Sequence, residues 1–138
     1  MGWDKKATLA LVDAEIERDP ITQQIIGGAI DVHRALGPGL LESVYEQCMA
    51  VELSQRGLTV QRQVAVPIMY KGVRVDAGYK IDMVINDTVV VELKAVETVL
   101  PVHEAQLLSY MRLLGVRVGL LLNFHVPLMK NGIFRRVI

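Results

Sequence analysis

Three side chains in the stretch DMVINDTVVVELK could do chemistry together: Asp82, Glu92 and Lys94. The stretch reads as a β-hairpin: a strand running into Ile85, turn residues Asn86-Asp87-Thr88, and a β-branched, mostly buried strand over Val89 to Val96. Charged side chains are rarely buried unless they are paired or bind a metal, so these three call for a reason. Glu92 and Lys94 are separated by one residue, so in a strand they face the same way, roughly 7 Å apart. Asp82 stands opposite Glu92 only if Ile85 pairs with Val89, which leaves Asn86 to Thr88 as the loop. A tighter turn would pair Asp82 with Val91 and send its side chain to the other face.

Two neighbouring carboxylates in a half-buried place repel, and one pKa rises unless a cation lies between them. Oxygen donors from Asp82, Glu92 and the main-chain carbonyl of Leu93 suit a hard ion, Mg²⁺ or Mn²⁺, over zinc. Protonated Lys94 is no ligand, but it is placed to position an attacking water and to neutralise charge on a phosphate. That is the chemistry of a magnesium-dependent nuclease centre. The competing reading is a structural Glu-Lys pair on an exposed sheet face, and E-x-K alone does not decide between them.

Other elements must carry the remaining groups. Residues 4 to 18 suggest a helix, with Leu9, Leu11, Val12 and Ile16 near helical spacing. Asp19-Pro20 reads as an N-cap and first-turn proline opening a helix over about 20 to 36, in which Gly27-Gly28 implies close packing against another backbone. LGPGL, Leu36 to Leu40, is a stop and turn, and a helix from Leu41 to about Arg56 ends at Gly57. On it Glu42, Tyr45, Glu46 and Met49 share one side, beside an apolar stripe of Leu41, Val44, Cys48 and Val51. This puts Glu42 and Glu46 at the core boundary, where a solvated acidic face is the simpler alternative.

After Gly57 the period changes to two. TVQRQVAVPIMY reads as a strand, with Pro67 marking an edge or a bulge; Lys71-Gly72 is a turn, and a further strand covers Gly78 to Ile85. A helix from Pro101 to near Gly115, a buried strand VRVGLLLNF, a loop HVPLMKNG and a last strand IFRRVI complete the chain.

Composition sets the bounds. A chain of 138 residues fits one domain with a real core. No apolar run reaches the roughly 18 residues of a membrane span, and the N-terminus is too charged for a signal peptide, so a soluble cytoplasmic protein is expected. The single Cys48 excludes an internal disulfide and a multi-cysteine zinc site, and reads as a core thiol. His33, His103 and His125 are not spaced as a metal cluster and read as surface or capping residues. Net charge is zero, against a protein that coats nucleic acid non-specifically. The bases Arg112, Arg117, Lys130, Arg135 and Arg136 nevertheless fall in an acid-free C-terminal stretch, a face for phosphates or simply a solvated one. Asn123 closes a strand or bonds across a cleft, and Tyr70 and Tyr79 could stack on bases, although no stacking platform is evident.

The order of these groups resembles the PD-(D/E)XK nuclease superfamily and, within it, the small GxxExxY proteins. The namesake motif is Gly39-Leu40-Leu41-Glu42-Ser43-Val44-Tyr45, the acid is Asp82, the tripeptide is Glu92-Leu93-Lys94, and QLLSY from Gln106 to Tyr110 is similar to a Q-xxx-Y element. The resemblance implies a restriction-endonuclease-like α/β fold: a mixed central sheet of about four or five strands flanked by helices, with the hairpin at its centre. It implies that Asp82 and Glu92 bind the metal, with Glu42 completing or supporting the shell and Glu46 a second candidate for that acid. Lys94 would serve the water, while Gln106 and Tyr110 line the site. Residues 1 to 19 lie outside the resemblance as an added helix, and residues 20 to 138 form the nuclease-like domain. The implied partner is nucleic acid, DNA first, with no membrane. A homodimer through the added helix would supply binding surface that so small a domain lacks. A binding module that keeps the scaffold without catalysis is the rival, and a ribonuclease would share the metal site.

Overall fold

The computed structural model describes residues 19–138; the helix expected over residues 4 to 18 lies outside them. The described elements are α1 (Pro20–Leu36), α2 (Glu42–Gln55), β1 (Val60–Ala65), β2 (Ile68–Tyr70), β3 (Val73–Val75), β4 (Lys80–Ile85), β5 (Val89–Lys94), α3 (Pro101–Leu114), β6 (Val118–Asn123), a short 3₁₀ turn (Met129–Gly132) and β7 (Ile133–Val137). A five-stranded sheet has the order β1-β4-β5-β6-β7, with β2 and β3 as a separate two-stranded ribbon. Only β5 and β6 run parallel, joined through α3. The fold is the expected mixed α/β sheet, restriction-endonuclease-like, with β5 in the middle.

Central position explains the composition of β5. Val89 to Leu93 are all buried because helices cover both faces. On one face Met83, Ile85, Val89, Val91, Leu93, Leu120 and Leu122 meet Ile25, Ala29, Tyr45, Met49 and Leu53 of α1 and α2. On the other, Val84, Val90 and Leu121 meet Leu107, Tyr110 and Met111 of α3.

Local chemistry sets the element ends. Asp19 caps α1 by accepting from Ile21 N and Thr22 N. Gly57, at φ 82°, ends α2: its N–H bonds Ser54 O, and Leu58 N–H bonds Leu53 O. At Gly28 an added Cβ would fall 2.9 Å from a Leu53 methyl, and at Gly27 2.9 Å from the Arg56 guanidinium. The close neighbours of the glycine pair are therefore side chains of α2 and of Arg56, which caps its C-terminus, not the backbone expected from the sequence.

The face of α2 also differs from expectation. Tyr45, Glu46, Met49 and Leu53 are buried, while Leu41 and Val51 of the expected apolar stripe are exposed. Tyr45 decides the orientation: its ring stacks on Phe124 at 4.5 Å between centroids. Cys48 lies at the edge of the core, partly buried. His33 is buried and its Nε2 bonds Val126 O at 2.7 Å, tying α1 to the loop after β6, so the expected surface role does not hold for it.

Candidate active site

The hairpin has the register that brings Asp82 toward Glu92. Ile85 pairs with Val89, Val84 with Val90 and Met83 with Val91. Asn86 and Asp87 take left-handed φ values of 51° and 55° in the loop, and Thr88 N–H bonds Ile85 O. One step further the ladder stops, because β4 and β5 separate where Asp82 would face Glu92. Side chains take over there: Asp82 N–H donates to Glu92 Oε1 at 3.0 Å, and Leu93 N–H donates to Asp82 Oδ2 at 2.8 Å.

This exchange puts both carboxyl groups in the opened seam. Glu92 is 4% exposed. Burial, followed by the Asp82 charge, pushes its pKa up to about 8, against the Asp82 N–H bond and Lys94, which favour the anion. Burial also raises Asp82; the Leu93 N–H bond opposes the rise and the Glu46 charge adds to it. The charge of half-buried Lys94 opposes the rise at Glu42, Asp82 and Glu92 alike.

The GxxExxY segment places the helical acids. Gly39 sits at φ 101°, a conformation that disfavours any side chain. The Tyr45 hydroxyl donates to Gly37 O and accepts from Leu40 N–H, pinning the turn before α2. Glu42 then opens the helix at the mouth of a cleft of about 360 Å³, lined by Glu42, Ser43, Glu46, Gln63, Asp82 and Leu93. Partial desolvation there raises the Glu42 pKa; Lys94 opposes this and Asp82 adds to it.

Glu46, the other helical candidate, lines the same cleft and is held there by β1. It is buried, Arg62 donates to its Oε2 through Nε at 3.1 Å and Nη2 at 2.8 Å, and Gln63 donates to its Oε1. Gln63 has φ 50° in the middle of β1, an uncommon conformation for a residue with a side chain. That turn lets the Gln63 amide bridge Glu46 and Asp82, the latter at 3.4 Å. Sequence reasoning missed Gln63 and Arg62; the only signal for them was a polar triplet, Gln61-Arg62-Gln63, inside a strand pattern.

The opposite side of the site comes from α3. Gln106 and Tyr110 stand one helical turn apart on α3; burial, then the Glu92 charge, raises the Tyr110 pKa, and the Gln106 side chain opposes the rise. His103 caps α3 by accepting Leu100 N–H at 3.0 Å, and burial together with nearby Lys94 lowers its pKa. Tyr79, just before β4, packs on Tyr110 with centroids 6.3 Å apart. Asn123 holds the exit of β5, donating to Val96 O at 2.8 Å and accepting Val96 N–H at 3.1 Å. It is a strand clamp, the first of the roles expected for it.

The basic C-terminal stretch does not form a phosphate face as a whole. Arg135 pairs with Asp19, Arg136 with Glu104, and Arg117 donates to the Ile138 carbonyl.

Among the described residues, no three His, Cys, Asp or Glu side chains are gathered as a metal group. The donor chemistry nevertheless fits a hard divalent cation bound by two acids and a main-chain carbonyl. Glu92 is buried beside Asp82, so its ionisation leaves negative charge that a cation would balance. A family profile described as the PD-(D/E)XK nuclease superfamily matches residues 19–137, and the chain belongs to that superfamily. Comparisons with curated proteins and with solved structures find no match. Among the described residues no helix is long and apolar enough to cross a membrane.

Proposed function

We propose that the chain is a metal-dependent nuclease hydrolysing phosphodiester bonds in DNA, and that within the superfamily it is a GxxExxY protein. The observation that carries this reading is the crossing of Asp82 and Glu92 in the seam between β4 and β5, where the Lys94 charge acts on both. The glycine turn at Gly39 and the Tyr45 anchor, which set Glu42 at the cleft mouth, support the narrower assignment.

In this reading Asp82, Glu92 and the Leu93 carbonyl hold Mg²⁺ or Mn²⁺, and Glu42 supports the shell from the mouth. The ion, when bound, supplies Lewis acidity at the phosphate and lowers the pKa of water. Lys94 positions the attacking water and offsets the charge that grows on the phosphate oxygens. Gln106 and Tyr110, one turn apart on α3, line the site and contact a substrate phosphate or Lys94. Burial of Glu92 keeps bulk water from screening these charges. The cytoplasmic location and the homodimer expected from the sequence belong to the same proposal.

The test is a panel of substrates, linear duplex, closed circular and single-stranded DNA and RNA, each with Mg²⁺, Mn²⁺ or chelator. DNA is cut with either metal and left intact in chelator. Cleavage in chelator contradicts the metal role, preference for RNA moves the substrate, and binding without cleavage leaves a module on a nuclease scaffold.

A further inference from the structure

We propose that the β2–β3 ribbon is a substrate arm that takes a single-stranded stretch of nucleic acid and leads it into the Asp82 cleft. The proposal rests on the nuclease reading and adds the form of substrate and the residues that hold it. Its first ground is position. The ladder of β1 and β4 runs to Ala65 opposite Lys80, Val66 N–H then bonds Tyr79 O, and the same two chain segments continue as the ribbon. Asp82 lies two residues inside that end of β4, so the ribbon projects from the edge of the site. From Arg74 to Asp82 the chain spans at most roughly 25 Å when extended.

The second ground is charge. Most arginines of the described sheet and helices are engaged: Arg56 with Asp31, Arg62 with Glu46, Arg135 with Asp19, and Arg136 with Glu104. Lys71, Arg74 and Lys80 are exposed and have no ion pair among the described residues. The only acid between Val64 and Ile81 is Asp76, whose Oδ1 accepts Gly78 N–H. In a chain of zero net charge this ribbon is therefore a local cationic projection suited to phosphates.

The third ground is aromatic exposure. Tyr70 is 65% and Tyr79 51% exposed, Lys71 Nζ sits 5.5 Å from the Tyr70 ring centre, and Tyr79 leans on Tyr110 at the site. Aromatic faces interleaved with cations are what unpaired bases and their backbone bind; paired bases in a duplex offer no free faces to them. Pairing of Tyr70 with Val73 and of Ile68 with Val75 puts the Tyr70 ring on the apolar face of the ribbon, while Arg74, opposite Met69, lies on the other face, so the backbone of a bound strand reaches it around the ribbon's edge. Lys71-Gly72, at φ values of 49° and 76°, make the tight turn that keeps this ribbon short and projecting.

The experiment measures binding of a fluorescent oligothymidylate of about 20 nucleotides by anisotropy, in chelator so that nothing is cut. The full chain is compared with the triple variant Tyr70→Ala/Lys71→Ala/Arg74→Ala, and with Tyr70→Phe as a stacking-competent control. The triple variant binds at least about fivefold more weakly from the loss of stacking alone. Its slope of log affinity against log salt is smaller by about 1.4, because two phosphates of the single strand are no longer neutralised. Tyr70→Phe binds as the parent does, and the melting temperature is unchanged in both. Parent-like binding by the triple variant, or a parent dimer that this variant dissociates, overturns the arm. Hydrolysis of bis(p-nitrophenyl) phosphate with Mn²⁺ separates this outcome from failure of the nuclease reading. That small diester needs no arm, so the triple variant hydrolyses it at the parent rate. If the parent hydrolyses neither it nor DNA while the binding differences hold, the nuclease reading fails, and with it the substrate role, leaving the ribbon as a single-strand binding element.

Discussion

Asp82 and Glu92 are joined through each other's strands: the Asp82 N–H bonds the Glu92 carboxyl at 3.0 Å, and the Asp82 carboxyl takes the Leu93 N–H at 2.8 Å. Side-chain oxygens thus replace ladder carbonyls where β4 and β5 part. The acids are held at main-chain precision, and the seam they occupy is too buried for two free anions without a compensating charge.

Metal-free stability should fall as pH rises. Glu92 has an ordinary value of 4.5 and a folded value of about 8, so between these values the folded chain holds a proton that the unfolded chain has lost. The folded state is therefore favoured least above about pH 8, and the penalty is absent below about pH 4.5. Thermal melting in chelator reads this as a decline across that window, which Glu92→Gln flattens. Mg²⁺ raises the melting temperature at the alkaline end and has little effect at the acid end, by linkage.

Gln63 should matter in two separable ways. Gln63→Ala removes the amide that joins Glu46 to Asp82 and keeps the left-handed backbone; Gln63→Gly removes the same amide and relieves the conformation. The glycine variant is the more stable of the two by about 1 kcal/mol in urea unfolding. Both lose cleavage rate alike. A full rate in Gln63→Ala would show that Asp82 needs no such support.

Tyr45→Phe retains the ring on Phe124 and loses the hydroxyl that holds Gly37 and Leu40. A stability loss of about 1–2 kcal/mol is expected, measured by urea unfolding. Cleavage falls with it, because the turn that sets Glu42 at the cleft mouth is loosened.

Asn123→Ala leaves both Val96 main-chain groups without the partners that fix the end of β5. The cost is about 1–3 kcal/mol, and amide hydrogen exchange rises over Leu93 to Val96 more than elsewhere in the sheet.

Much of the site was legible because its cues are local. Asn86 and Asp87 are residues that accept left-handed backbone, so a three-residue loop is allowed there, and the register of Asp82 follows once the two acids are required to share a face. The run Val89 to Leu93 announced a strand covered on both faces. The end of the ladder at Asp82 left no such mark, since splaying depends on what the two carboxylates bond. The buried face of α2 was misread for a related reason: a glutamate in the core row breaks the apolar period. Glu46 is tolerated there only because Arg62 and Gln63, from the neighbouring strand β1, satisfy it. His33 likewise has its partner, Val126, far along the chain. Contacts of this kind carry no periodicity and are visible only once the elements are packed.

The central claim, that Asp82, Glu92 and Lys94 form one hydrolytic centre, is tested most directly by single-turnover DNA cleavage with saturating Mn²⁺ in Lys94→Ala and Asp82→Asn. Both variants should lose a factor of about 10²–10⁴ in rate. Lys94→Ala should keep the metal-induced rise in melting temperature, and Asp82→Asn should lose it. Cleavage by Lys94→Ala at the parent rate, or an undiminished metal response in Asp82→Asn, would contradict the account.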